Sequence, residues 1–123
     1  MLRLLTITNY FLEIYTLVNI PTNRPPTSPG EMLREEFLEP LGLTQQQLAD
    51  GIGVSYQRVN ELINGKRGIT TSTALRLAKY FSTSPDFWLN MQRASDIYHV
   101  LHKEAEQIET IQPIVNHQEV RTT

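Results

Sequence analysis

An all-α fold is predicted for this 123-residue chain, and two observations carry the prediction. Five Ser or Thr residues stand where helix N-caps belong, each followed by apolar residues at helical spacing. No segment between residues 28 and 102 shows the sustained period-two alternation of a half-buried strand.

The elements follow in order. "SPGE" places Ser28 as N-cap, Pro29 at the first helical position and Glu31 at the capping-box position. Leu33, Phe37 and Leu38 form the apolar side of that short helix, and Pro40 and Gly42 are expected to end it. "TQQQ" repeats the capping box with Thr44 and Gln47 and opens a helix carrying Leu48, Ala49 and Ile52, which Gly53 breaks. Ser55 caps a third helix with Val59, Leu62 and Ile63 on its apolar side, closed by "NGKRG". Thr70 caps a fourth, with Ala74, Leu75, Leu77, Ala78 and Phe81. Ser84 and Pro85 open a fifth, with Phe87, Trp88, Met91, Ile97, Tyr98 and Leu101. From Lys103 onward the chain is polar and Pro113 interrupts it, so a frayed helix end and a mobile tail are expected. The expected organisation is an N-terminal extension and proline-rich linker over 1–27, a helical domain over 28–102 and a polar tail over 103–123.

Residues 1–22, "MLRLLTITNYFLEIYTLVNIPT", are largely apolar, but Thr6, Thr8, Asn9 and Glu13 interrupt them and no small-x-small cleavage site follows. They read neither as a secretory signal nor as a membrane span, which needs roughly 18 uninterrupted apolar residues. Either an accessory strand or helix or non-native residues added by an upstream start codon is expected, dispensable for folding. The chain has no cysteine, which rules out disulfides and thiolate metal sites and fits the cytoplasm. Its length suffices for one domain to bury roughly two thirds of its unfolded surface without a staple.

The formal charge is −2, so the chain as a whole is no basic nucleic-acid protein. The charge is unevenly placed, however. Residues 44–81 hold five bases against two acids, a net of +3, whereas 29–43 and 82–123 are each −3. A local patch matters more than the total when the partner is a polyanion.

That patch coincides with "TQQQLADGIGVSYQRVNELINGKRG". On a helix at about 100° per residue, Val59, Leu62 and Ile63 of the third segment share one side. Gln57, Glu61 and Asn64 lie opposite, with Arg58 and Asn60 on the flanks and Tyr56 near the N-terminal edge. A solvated helix carries Lys and Glu there; this one carries amides, a hydroxyl and a guanidinium. Gln and Asn can bond adenine through N6 and N7, and Arg can fork onto guanine. Thr44 and Ser55 expose two helix N-termini, which favour phosphate. Gly53 permits a tight turn, and Ala49 is small enough for close approach of the helices. This is helix-turn-helix geometry, with the second helix placed to enter the major groove of double-stranded DNA.

Enzyme readings find little. His99, His102 and Glu106 fall at i, i+3 and i+7, but no fourth ligand or second shell supports them. The acids Glu35, Glu36 and Glu39 beside Arg34 read as a solvated face. Nucleophile motifs, phosphate-cradling glycine loops and zinc spacings are absent from the sequence. No catalysis, cofactor or metal is expected. The aromatic pair of "SPDFWLN" reads as core or dimer interface, with Trp88 anchoring the fifth helix.

The stretch "TQQQLADGIGVSYQRVNELINGKRGIT" resembles the Cro and phage-repressor type of helix-turn-helix. The larger block from Arg24 to Asn90, with "PGEMLREEFLEPLGL", "NGKRGIT" and "SPDFWLN", resembles the HigA family of antitoxins. The resemblance implies a five-helix, lambda-repressor-like domain, homodimerisation, repression of its own operon at a palindromic operator, and neutralisation of a HigB-like, mRNA-cleaving toxin. Residues 1–23 depart from the family pattern. Carried over position by position, Gln45 matches a phosphate-contacting residue. Ser55, Tyr56 and Gln57 match positions near base edges or the adjacent backbone. Arg58 is placed to reach a base or a phosphate. Glu61 matches a base-facing position, where a carboxylate either accepts from cytosine N4 or holds Arg58. Asn64, Lys66 and Arg67 match the backbone clamp after the recognition helix. The alternative is a solitary helix-turn-helix regulator with no toxin partner.

Overall fold

A computed structural model describes residues 24–114. The apolar segment 1–23 and the end of the expected tail, 115–123, lie outside the described residues. Five helices make up what is described, and no strand occurs among these residues.

The first helix, α1 over 29–41, changes winding twice: an α-helical turn Pro29–Met32, a π-helical stretch Leu33–Leu38 and a last turn Glu39–Leu41. Ser28 caps it, its Oγ accepting from the Glu31 N–H at 3.2 Å. The expectation that Pro40 helps to end this helix is corrected. Pro40 sits inside the last turn, and Gly42, at φ 63°, closes the helix. In α geometry the Pro40 ring would meet the carbonyl one turn back. The π winding, in which the Glu39 N–H reaches Arg34 O, widens that turn and makes room. It also sets Leu33 and Leu38, five residues apart, on the same buried side.

The next helices are α2 (Gln45–Ile52), α3 (Tyr56–Ile63), α4 (Thr71–Phe81) and α5 (Pro85–Glu109). Each begins at the expected N-cap, Thr44, Ser55, Thr70 and Ser84. The core gathers Leu33 and Leu38 of α1, Leu48, Ala49 and Ile52 of α2, Val59, Leu62 and Ile63 of α3, and Ala74, Leu77 and Ala78 of α4 around Trp88. Phe37, Phe81 and Phe87 surround the Trp88 indole, Phe37 and Phe87 with ring centroids 5.1 and 5.0 Å from it. Gly30 lets α1 lie against the end of α3, because a Cβ there would overlap the Leu62 carbonyl oxygen.

Two further expectations change. Leu75 is not on the buried side of α4: it is 53% exposed. It lies about 100° round the helix from Ala74, away from Leu77, and Thr73 takes the buried position instead. The fifth helix continues past residue 102 to Glu109, with non-helical backbone at Glu104 (φ −120°, ψ 19°). Leu101 is its last buried residue, and beyond it only Ala105 and Ile108 are half-buried among the described residues.

Candidate nucleic-acid interface

Gly53, Val54 and Ser55 join α2 to α3. Gly53 is in the left-handed region at φ 72°, and the Val54 N–H returns to Ala49 O at 3.0 Å. The Ser55 Oγ then accepts from the Arg58 N–H at 3.2 Å and starts α3. At the start of α2 the capping box is complete: Thr44 Oγ1 accepts from the Gln47 N–H at 3.0 Å, and the Thr44 N–H donates to Gln47 Oε1 at 2.9 Å. Both capping hydroxyls thus spend an oxygen lone pair on the helix and keep an O–H to donate.

With Val59, Leu62 and Ile63 buried, the opposite side of α3 is fixed outward. Tyr56, Gln57, Arg58 and Asn64 are exposed; Asn60 and Glu61 are half-buried. Asn60 belongs to an amide chain rather than to a free flank. Its Nδ2 donates to Gln45 Oε1 at 3.0 Å, and its Oδ1 accepts from Asn64 Nδ2 at 3.1 Å. The chain ties the first residue of α2 to the C-cap of α3. It also points the Gln45 carbonyl oxygen inward and leaves its amino group to donate outward.

The loop after α3 doubles back. Gly65 takes φ 72°, and the Lys66 N–H bonds Glu61 O at 2.8 Å. Arg67 then lies over Glu61, its Nε and Nη2 each 3.0 Å from Glu61 Oε1. The possibility that Glu61 holds Arg58 is therefore corrected: the partner is Arg67, brought there by the left-handed turn at Gly65. Among the described residues Arg58 and Lys66 enter no ion pair, so their charges face outward uncompensated.

Two supporting residues escaped the sequence reading. Arg76 on α4 donates through Nη1 to Ile52 O at 2.8 Å and Gly53 O at 3.4 Å, bracing the turn between α2 and α3. Gln92 on α5 accepts from the Ile69 N–H at 2.7 Å and donates to Asp96 at 2.8 Å, fixing the far end of the loop that carries Lys66 and Arg67. Both act across more than 20 residues, and no local spacing signals such a pairing.

Among the described residues no three His, Asp or Glu side chains gather as a metal site. The His102 ring stacks on Tyr98, centroids 4.0 Å apart, with Nδ1 2.8 Å from Tyr98 O. No described helix is long and apolar enough to cross a membrane.

The chain matches known proteins over this same region. A helix-turn-helix family model matches residues 34–88. Antitoxin HigA-1 of Vibrio cholerae is 42% identical over 94 residues, covering 76% of this chain and 88% of the relative. An uncharacterised HTH-type transcriptional regulator of Escherichia coli, YbaQ, is 43% identical over 103 residues, covering 80% and 91%. The solved structure of Pseudomonas aeruginosa antitoxin HigA with the higBA promoter superposes with a TM-score of 0.69 at 38% identity, covering 72% of this chain and 98% of that one. Identity of this degree over most of each relative, together with the five capped helices and the α2–α3 turn, places the chain in the HigA family of helix-turn-helix antitoxins.

Proposed function

We propose that the protein is a DNA-binding antitoxin that represses its own operon as a homodimer and neutralises a HigB-like, mRNA-cleaving toxin. The observation that carries the DNA reading is the outward side of α3, where exposed amides stand beside the unpaired charges of Arg58 and Lys66. Solvation alone does not call for that set, whereas base edges and phosphates do. The Pseudomonas relative, solved with its promoter, supports the same use of the fold. The toxin partner rests on family membership and on the Vibrio relative's name. The role is binding, and catalysis in such a pair belongs to the toxin. The cytoplasm, where operator and mRNA both lie, is the expected compartment.

The size of the reading surface supports a dimer. One eight-residue recognition helix makes few base contacts. Two of them, related by a two-fold axis, double the contacts and set half-sites about 34–36 Å apart. Thr44, Gln45 and Ser55 then face phosphates at the ends of α2 and α3. Tyr56, Gln57 and Arg58 approach base edges, Asn60 holds Gln45 and Asn64, and Lys66 and Arg67 clamp the backbone.

Binding isotherms on operator and scrambled DNA at several salt concentrations test the division of roles. Gln57→Ala should cost about 1–3 kcal/mol on the operator and relax preference at one base pair per half-site. Lys66→Ala should weaken both DNAs alike and lower the salt slope by about one. If neither variant alters DNA affinity, α3 is not a reading helix. A solitary regulator remains the second reading, favoured by the similarity to YbaQ. Co-expression with the product of the adjacent gene separates the two: a toxin that neither binds nor loses toxicity leaves only the regulator.

A further inference from the structure

We propose that Glu61 reads a base, and that Arg67 is the positioning residue that holds its carboxylate ready to accept from a cytosine amino group in the major groove. The proposal rests on the DNA-binding reading above and deepens it.

A carboxylate is an unexpected group on a face meant for a polyanion. Glu61 lies one helical turn beyond Gln57 on the outward side of α3, where it would meet the negative field of the phosphates. It is also not a freely solvated side chain, being only 28% exposed. The position therefore needs a use for an acceptor, or the charge would only weaken binding.

The geometry supplies that use. Arg67 places both its Nε and its Nη2 on the same oxygen, Oε1, at 3.0 Å. Among the described residues no side chain donates to Oε2. The guanidinium thus cancels the charge locally and fixes the plane of the carboxylate while one acceptor oxygen stays open. The backbone adds a second tie, since the Lys66 N–H bonds Glu61 O at 2.8 Å, so the loop bearing Arg67 is anchored to the residue it orients.

An ionised carboxylate can only accept. In the major groove guanine O6 and N7 and thymine O4 are acceptors too and would repel it. Adenine N6 donates, but its N7 acceptor lies beside the donor. Cytosine's own edge presents only the N4 donor, with the C5 hydrogen beside it and the paired guanine O6 on the far side, so it is the edge that a carboxylate approaching from the C5 side fits. Glu61 therefore selects as much by rejecting acceptor edges as by bonding one.

The test is selection from a library of double-stranded DNA with randomised palindromic half-sites, using the full-length protein and three variants. Wild type should enrich cytosine at one position per half-site. Glu61→Ala should lose about tenfold of that preference at that position alone, keep the others, and bind random DNA more tightly because a negative charge is gone. Glu61→Gln, whose amide both donates and accepts, should move the preference there toward adenine, and it carries the test if the alanine variant fails to fold. Arg67→Ala, with the carboxylate left unheld, should flatten the same position. If Glu61→Ala and Glu61→Gln leave every base preference as in wild type, Glu61 is only a support for Arg67 and the proposal fails. If wild type enriches no sequence at all, the DNA-binding reading fails first and takes this one with it.

Discussion

The junction between α2 and α3 and the junction between α4 and α5 have the same backbone and opposite fillings. In each, a left-handed residue closes one helix, the next N–H returns to a carbonyl five residues back, and a serine caps the following helix. The residues are Gly53, Val54 and Ser55 in the first case and Ser82, Thr83 and Ser84 in the second. The left-handed residues differ: glycine at φ 72° in one, serine at φ 57° in the other. So do the braces. The first turn is held from outside by the Arg76 guanidinium on two carbonyl oxygens. The second is held from inside by the buried Trp88, whose indole N–H donates to Thr83 Oγ1 at 2.8 Å. The difference fits the role proposed for α3. The α2–α3 turn presents the helix proposed to read DNA, and a charged brace holds it without an apolar plug on that surface. The α4–α5 turn instead packs an aromatic side chain into the core.

Substitutions at the four contrasting positions break or sharpen this comparison. Trp88→Ala should have the largest effect, about 3–5 kcal/mol, since it opens a cavity and leaves the Thr83 hydroxyl without its donor. Urea unfolding should show the loss as a lower midpoint; an unchanged midpoint would mean that the aromatic cluster does not hold the second junction. Arg76→Ala should cost about 1–2 kcal/mol, discounted because the guanidinium is exposed. It should also weaken operator DNA more than scrambled DNA, because the angle of α3 loosens while the phosphate-facing charges stay. Equal weakening on both DNAs would reduce Arg76 to one more surface charge. Gly53→Ala should cost about 1–2 kcal/mol for placing a side chain in the left-handed region. The new Cβ would also come 3.1 Å from Arg76 Nη1, so its effect should not add to that of Arg76→Ala in a double-mutant cycle. The smallest effect is of opposite sign: Ser82→Gly should stabilise by up to about 1 kcal/mol, the strain relieved minus the added freedom of the unfolded chain. A destabilised Ser82→Gly protein would show that the serine side chain supports its turn.

Much of this was legible in the sequence because the signals are local. Ser28, Thr44, Ser55, Thr70 and Ser84 were placed as caps, and each accepts from the N–H three residues on. Gly42 and Gly53 were placed as breaks, and both are left-handed. The outward set on α3 followed from the buried set, since one side of a helix determines the other. Pro40 was misplaced because its usual meaning assumes α winding, and the π stretch before it changes the register. The left-handed Ser82 has no clear sequence signal, because left-handed backbone is signalled by glycine and only weakly by serine.

What the sequence by itself determined, then, is where each helix starts and which of its sides is apolar. Those choices depend on hydrogen bonds and periodicity within about one helical turn. Only the tertiary structure decided that Glu61 takes Arg67 rather than Arg58, that Asn60 turns in toward Gln45, and that Arg76 and Gln92 brace the turn before α3 and the loop after it. These pairs lie 6 to 24 residues apart, and a long polar side chain has many partners within its reach until the packing of helices and loops leaves it few.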